Sequence, residues 1–462
     1  MKAFKPAYFI LAAGIFILIF NSLFGWSITS KYSETNGVYK TNKVSVNVLK
    51  GSASQERSAF TMDDIRHMQE FSFKDTDMAY SSAEKSAVSY KDSRTEAEVY
   101  GVNYKYGMFH QIEFKSGSFI TEGNKDEKVA VVDENLAEKL FNNDNVVGMP
   151  IELYGQEFKI IGVIKGDESI VQAITDSGLG NIYIPVEQML IYDENSEITS
   201  FEVKAGGNIT GQNISKAKEA LGSIGKNALD YKIIDYNLEN ILVSQKTRLC
   251  IFMAGMSAII MLLYLIKKRA VDIYSIIKSG LKEDYFSDVL KLKCLMITMT
   301  MLEMVVIFVF IYLLWDNIKF SLYIPAEYVP NELIDIDFFS GLFKSLAQTK
   351  VQNAGYVPTY TEMKMNVLNI MQNWNACIGL LIGFPLYYLG LKLLELKEEN
   401  CIKLLLYSCL CLISSIILGV LILLIFKMPV AVDIKGVSVV LAFIFLSIYR
   451  AAAHTQNRTI KI

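Results

Sequence analysis

The residues able to do chemistry are scattered through this 462-residue chain. His67 and His110 have no nucleophile or second base near them in sequence, so both are expected on the surface rather than in catalysis. The six cysteines (Cys250, Cys294, Cys377, Cys401, Cys409, Cys411) all lie in or beside strongly apolar stretches. Cys409 and Cys411 are two apart and would point to different sides of a helix, as small apolar residues rather than metal or redox partners. The patterns of a P-loop, a dinucleotide fingerprint, a zincin helix or a Ser-x-x-Lys nucleophile do not occur. One carboxylate stands out: Glu303, in the middle of the apolar run Met296–Trp315. A charge at that depth is costly, so it is expected to face other helices, to be protonated or to be paired. It would then be an intramembrane gate or coupling position, or a polar contact between helices. None of this amounts to an active site, and no enzyme activity, cofactor or metal is expected of the chain itself.

The elements that must position these residues are apolar spans. Tyr8–Phe24 and Leu249–Ile266 are each about one bilayer long and bracket a polar segment. Residues 29–246 carry 33 Asp and Glu against 23 Lys and Arg, whereas the rest of the chain carries 15 against 22. This split puts an acidic domain in water and leaves basic residues for membrane flanks, with no support for nucleic-acid binding. The acidic segment lacks cysteine and is long enough to bury a core without disulfides. Lys267-Lys268-Arg269, Lys291, Lys293, Lys397, Lys403 and Arg450 fall on one side if both termini are cytoplasmic. Lys246 and Arg248 break that rule and would snorkel, while Trp26 would sit at the outer interface.

The chain therefore reads as a multi-pass α-helical membrane protein of the cell membrane, with a large extracytoplasmic α+β domain inserted between the first and second transmembrane helices. The expected divisions are a cytoplasmic start and first span at 1–28, taken as retained rather than cleaved, and an external domain at 29–247 with a sub-lobe at about 101–200. A second span at 248–266 leads to a cytoplasmic segment at 267–292, a third span at 293–316 and an external loop at 317–373. Further spans at 374–395, 402–427 and 435–450 precede a cytoplasmic tail at 451–462. Within the external domain, Lys43–Leu49 alternates valine with polar residues and reads as a half-buried strand. Thr61 begins a helix and Glu98–Val102 is a strand. Val129–Val132 is a strand followed by a helix capped by Asp133 and reaching Phe141. Strands are also expected at Ile151–Leu153, Glu157–Ile164, Ile182–Pro185, Ser200–Val203 and Tyr231–Ile234, with a helix near Ser215–Leu221.

Residues 99–185 resemble the core domain of MacB/FtsX-like ABC transporter permeases. The resemblance rests on Val99-Tyr100-Gly101-Val102-Asn103, Phe109, Ser116-Gly117-Ser118-Phe119 and Val129-Ala130-Val131-Val132. It continues through Leu136-Ala137, Leu140-Phe141, Val147-Gly148, Phe158–Val163 and Tyr183-Ile184-Pro185. A second likeness follows span two, where Arg269-Ala270-Val271-Asp272-Ile273 and Lys278-Ser279-Gly280 are similar to the family's cytoplasmic coupling motif. Ile273, Ile276, Ile277 and Gly280 recur at helical spacing, giving that segment one apolar side. The resemblance implies that Arg269, Asp272, Ile273, Ile276, Ile277, Lys278 and Gly280 contact a separate ABC ATPase, which holds the ATP. It also implies a homodimer or heterodimer of permeases and an envelope protein or peptide, drug or lipid-linked substrate. Asp272, Tyr274, Lys278 and Lys293 depart from the family pattern, and spans five and six look like an addition to a four-span core. The reading from another class is a membrane-anchored extracytoplasmic scaffold or sensor that works without an ATPase.

Overall fold

A computed structural model describes residues 6–49, 58–193, 196–206, 211–282, 285–325, 328–330, 332, 335–352, 356–396 and 401–459. Lys397 lies outside them. In chain order the main elements begin with α1 (Pro6–Thr35), β1 (Lys43–Val48), α2 (Met62–His67), β2 (Met78–Tyr90), β3 (Ser93–Val102), α3 (Tyr106–Phe109), β4 (Phe114–Gly117) and β5 (Val129–Asp133). They continue with α4 (Glu134–Phe141), β6 (Pro150–Leu153), β7 (Gln156–Ile164), α5 (Ile170–Thr175), β8 (Gly180–Pro185), α6 (Val186–Tyr192), β9 (Ser200–Lys204), α7 (Gln212–Ser223) and β10 (Tyr231–Asp235). The remaining helices are α8 (Tyr236–Gly280), α9 (Phe286–Ile318), α10 (Ile336–Gln352), α11 (Tyr360–Ile378), α12 (Phe384–Leu396), α13 (Cys401–Ile425) and α14 (Ile434–Thr459).

Contacts divide the chain into two units. One comprises Met1–Thr29, Val243–Leu322 and Ile370–Ile462; the other comprises Ser30–Leu242 and Tyr323–Asn369. Among the described residues, six helices are long and apolar enough to cross a membrane. The protein is a multi-pass membrane protein with a large extracytoplasmic α+β domain. The helices run further than the apolar windows suggest. No glycine or proline interrupts the residues after Ile266 until Gly280, so α8 continues unbroken from the span into the first half of the expected cytoplasmic segment and ends at Gly280. The expected loop 317–373 holds α10 and the first turns of α11, and a π-helical turn at Gly379–Gly383 joins α11 to α12.

Within the membrane unit, close packing depends on small residues. A Cβ added to Gly14 would collide with the backbone of Tyr387, and one added to Gly390 with the backbone of Leu11, so α1 and α12 meet nearly backbone to backbone. Asn375 Nδ2 donates to the Asn21 carbonyl oxygen at 2.9 Å while Asn21 Nδ2 donates to the Asn375 carbonyl oxygen. Gln372 Nε2 donates to Thr247 Oγ1. Helix α9 differs: only 6% of its span is covered within the chain.

In the extracytoplasmic unit, ten strands form one sheet in the order β10-β1-β9-β2-β3-β8-β5-β7-β4, with β6 pairing with β2 and β7. Pairs β3–β8 and β5–β7 are parallel and the other pairs are antiparallel. One side of the sheet carries two apolar clusters, centred on Val99, Val132, Phe158 and Ile182 and on Val46, Phe60, Phe201 and Leu221. Helix α4 is capped by Asp133, whose Oδ1 accepts from Leu136 N at 2.8 Å. Helix α2 has a capping box between Thr61 and Asp64. The hairpin β2–β3, with Lys91 at φ 51° in its turn, is absent from the sequence reading except for the end of β3.

Candidate functional site

Strand β1 is buried on both faces, contrary to the half-buried strand its alternation predicts. Val44, Val46 and Val48 enter the apolar core. Lys43, Ser45 and Asn47 on the other face are covered as well, by later parts of the chain that local periodicity cannot reveal. Asn47 bonds to Tyr356 and Ser45 to Tyr236.

The covered polar face holds a chain of charges. Lys43 Nζ lies 3.1 Å from Glu202 Oε1, with neither side chain more than 8% exposed. It also donates to the Phe109 carbonyl oxygen at 2.7 Å and sits over the Tyr236 ring. His110 Nε2 is 2.9 Å from Glu202 Oε2, and His110 Nδ1 is 2.9 Å from Thr361 Oγ1. His110 is therefore buried, which corrects its expected place on the surface; His67 is exposed as expected. Nothing in the sequence around His110 announces the covering partner, because Thr361 is 251 residues away.

Burial alone would raise Glu202, yet His110 and Lys43 hold its carboxyl at about 2. Burial lowers Lys43 and His110, with Glu202 opposing it in both. Three further bridges join the same surroundings. Asp167 receives Lys31 at 3.0 Å and Lys364 at 3.5 Å, and Lys232 meets the buried Glu362, which also accepts from Tyr356 OH. Burial would raise Asp167, but the Ser169 N–H, Lys31 and Lys364 bring it down to about 2. These groups belong to the outer turns of α1 (Lys31), the start of α11 (Thr361, Glu362, Lys364), the sheet (Lys43, Glu202, Lys232) and the loops holding His110 and Asp167. The first residue of α8, Tyr236, is buried beside them. The arrangement sets opposed charges between helix ends and the sheet with its loops, so it can clamp them together.

At the other candidate site, Arg269 Nε lies 3.0 Å from Glu303 Oε2 and its Nη1 lies 3.6 Å from Asp272 Oδ2. Glu303 is thus paired, on a side chain 54% exposed. Ile273, Ile276 and Ile277 are partly covered, and Gly280 is buried against Val289, where a Cβ would crowd its methyl groups. Val271, Tyr274 and Lys278 form the exposed side, with Lys278 Nζ 5.7 Å from the Tyr274 ring centroid. On this segment the exposed ridge is Val271, Tyr274 and Lys278 rather than the isoleucines. Arg248, expected to snorkel, lies over the Trp26 ring at 5.7 Å.

Residues 8–223 match the family model of the MacB-like periplasmic core domain. The chain is 25% identical over 174 residues to the uncharacterized ABC transporter permease YknZ of Bacillus subtilis strain 168, covering 37% of this chain and 42% of that protein. It is 24% identical over 123 residues to the macrolide export ATP-binding/permease protein MacB of Neisseria gonorrhoeae, covering 26% and 19%. The chain spans less than half the length of these curated relatives. Among solved structures, the periplasmic region of MacB from Actinobacillus actinomycetemcomitans aligns with a TM-score of 0.37 and 20% identity over 46% of this chain and 94% of that one. The extracellular domain of YknZ aligns with a TM-score of 0.34 and 18% identity, over 42% and 100%. The chain thus combines helical spans with an N-terminal region, including the first span, that is similar to the MacB-like periplasmic core domain.

Proposed function

We propose that this chain is the permease subunit of a MacB/FtsX-type ABC transporter. A separate ATPase subunit hydrolyses ATP and moves the extracytoplasmic domain. The work is export of a peptide, drug or lipid-linked substrate, or mechanotransmission to an envelope partner. The observation that carries this reading is the clamp: Lys31 on α1 and Lys364 on α11 share Asp167, and Tyr236 at the start of α8 packs under Lys43. Helices α1 and α8 each contain an apolar window long enough to span a bilayer, and α11 runs through the turn at Gly379–Gly383 into α12 within a third such stretch. A helix held at its outer end by buried charges passes on an axial push with little loss, because neither the i→i−4 ladder nor the clamp yields cheaply. A scaffold without an ATPase has no use for three such helices.

The inner turns of α8, with Arg269, Asp272, Ile273, Ile276, Ile277, Lys278 and Gly280, form the ATPase contact, with Tyr274 and Lys278 outermost. Arg269 and Glu303 tie α8 to α9 and act as the intramembrane coupling position. The uncovered face of α9 suits a second permease, identical or related. The test is co-purification of an ATPase with the full-length chain. Tyr274→Ala with Lys278→Glu is expected to abolish it, while Thr298→Ala, a small change on exposed α9, leaves it intact. Unchanged recovery of the ATPase with the Tyr274/Lys278 variant would refute the assigned contact.

A further inference from the structure

The sheet has an apolar side and a side made of small and polar residues. Register places Ala79, Ser81 and Ala83 of β2 on the same face as Ser200 and Glu202 of β9 and Tyr100 of β3. Small side chains leave space on a sheet unless something large descends onto them. Residues 356–363 cross this face without filling it, and a cavity of about 420 Å³ remains beneath them. That is within the size range of small-molecule sites.

Its walls are tyrosine rings whose hydroxyls are engaged elsewhere. Tyr100 OH donates to Glu98 at 2.8 Å, Tyr356 OH to Glu362 and Tyr360 OH to Gln172. These three rings therefore present their faces and edges, not their hydroxyls, to the cavity. Its charges are matched: Lys85 and Glu98 are cross-strand partners, and Glu202 at the inner end is met by Lys43 and His110. Glu84, also in the wall, accepts from Tyr154 OH, so the described lining offers no excess of cations to an anionic ligand. Exposure rises along β2 from buried Ala79 through half-buried Ser81 to exposed Ala83, which locates the mouth.

We propose that this cavity is a ligand site of the extracytoplasmic domain and takes an uncharged planar aromatic group, on a small molecule or on a peptide side chain. An occupant bears on Tyr356 and Tyr360, in the same segment that Thr361 fastens to His110. Binding is tested without nucleotide, so its outcome is distinguishable from that of the ATPase contact.

The test uses the full-length chain in lipid nanodiscs without ATP, with 5-fluoroindole followed by fluorine NMR line broadening. Binding is expected to saturate and to weaken at least tenfold in Ala83→Trp, whose ring covers the mouth from an exposed position. Ser81→Leu, which fills the floor, is expected to do the same. Glu96→Trp, exposed on the same face outside the cavity, leaves affinity unchanged and measures partition into lipid. N-acetyl-5-fluorotryptophan amide separates the sources: binding as tight as that of the free ring supports a peptide, and its exclusion supports a small molecule. No saturable binding of either probe, or equal binding in the wild type, Ala83→Trp and Ser81→Leu, overturns the proposal.

Discussion

Replacing Glu202 by alanine strips the clamp of its central anion. Lys43 then remains fully buried with only the Phe109 carbonyl and the Tyr236 ring beside it. Two estimates of the loss agree. The fall of Glu202 from an ordinary 4.5 to about 2 corresponds to about 3 kcal/mol of stability at neutral pH. Removing one partner of a buried ion pair typically destabilises by about 3–5 kcal/mol. The assay is denaturant unfolding of the full-length chain in detergent micelles, with hydrogen exchange followed at the amides of residues 356–365. Glu202→Ala is expected to lose about 3 kcal/mol and to speed exchange in that segment before the rest of the sheet. The pair Lys43→Met with Glu202→Leu removes both charges together and is expected to recover most of the loss. A loss below about 1 kcal/mol in Glu202→Ala would refute the reasoning, since a charge stranded inside a protein cannot be that well tolerated. A double variant as unstable as the single one would show that packing, not charge, governs the site.

Other outcomes follow from the same network. His110 is held below the ordinary histidine value by burial, with Lys43 and Lys364 adding to the fall and Glu202 opposing it. The unfolded chain then takes up the proton first, so stability is present above about pH 6.5 and declines as pH falls toward 5. His110→Gln, which keeps a hydrogen-bonding side chain facing Thr361, is expected to flatten that slope in thermal unfolding scans between pH 7 and 5; an unchanged slope excludes His110 as its source. Asp167→Asn leaves Lys31 and Lys364 together without their shared anion and is expected to cost about 2–3 kcal/mol at neutral pH, judged from a carboxyl held at about 2. Proteolysis of the full-length chain should then cut earlier near residues 356–369, and protection equal to wild type would count against a clamping role.

Much of this was legible from local pattern. The spans were visible because about twenty apolar residues in a row have few other uses. Strand β5 and the helix after it were visible because Val129–Val132 and Asp133 carry the propensity and the cap locally. Strand β2 was not. Its sequence, rich in alanine and serine, has no valine alternation because one of its faces is a cavity floor and its outer half is mostly half-buried, with Val88 alone there fully buried. The inner end of α8 was found by likeness and helical spacing, but which side of it is free depended on where Val289 packs.

By itself, then, the sequence determined a membrane protein with an acidic domain held between its first two spans, because hydropathy and charge act residue by residue. Only the tertiary structure decided that Lys43, His110 and Glu202 meet Thr361, and that Lys31 and Lys364 share Asp167. The physical reason is distance along the chain. A buried charge is tolerated only where its partner arrives, and here the partners come from up to 251 residues away, with no short-range pattern to announce them.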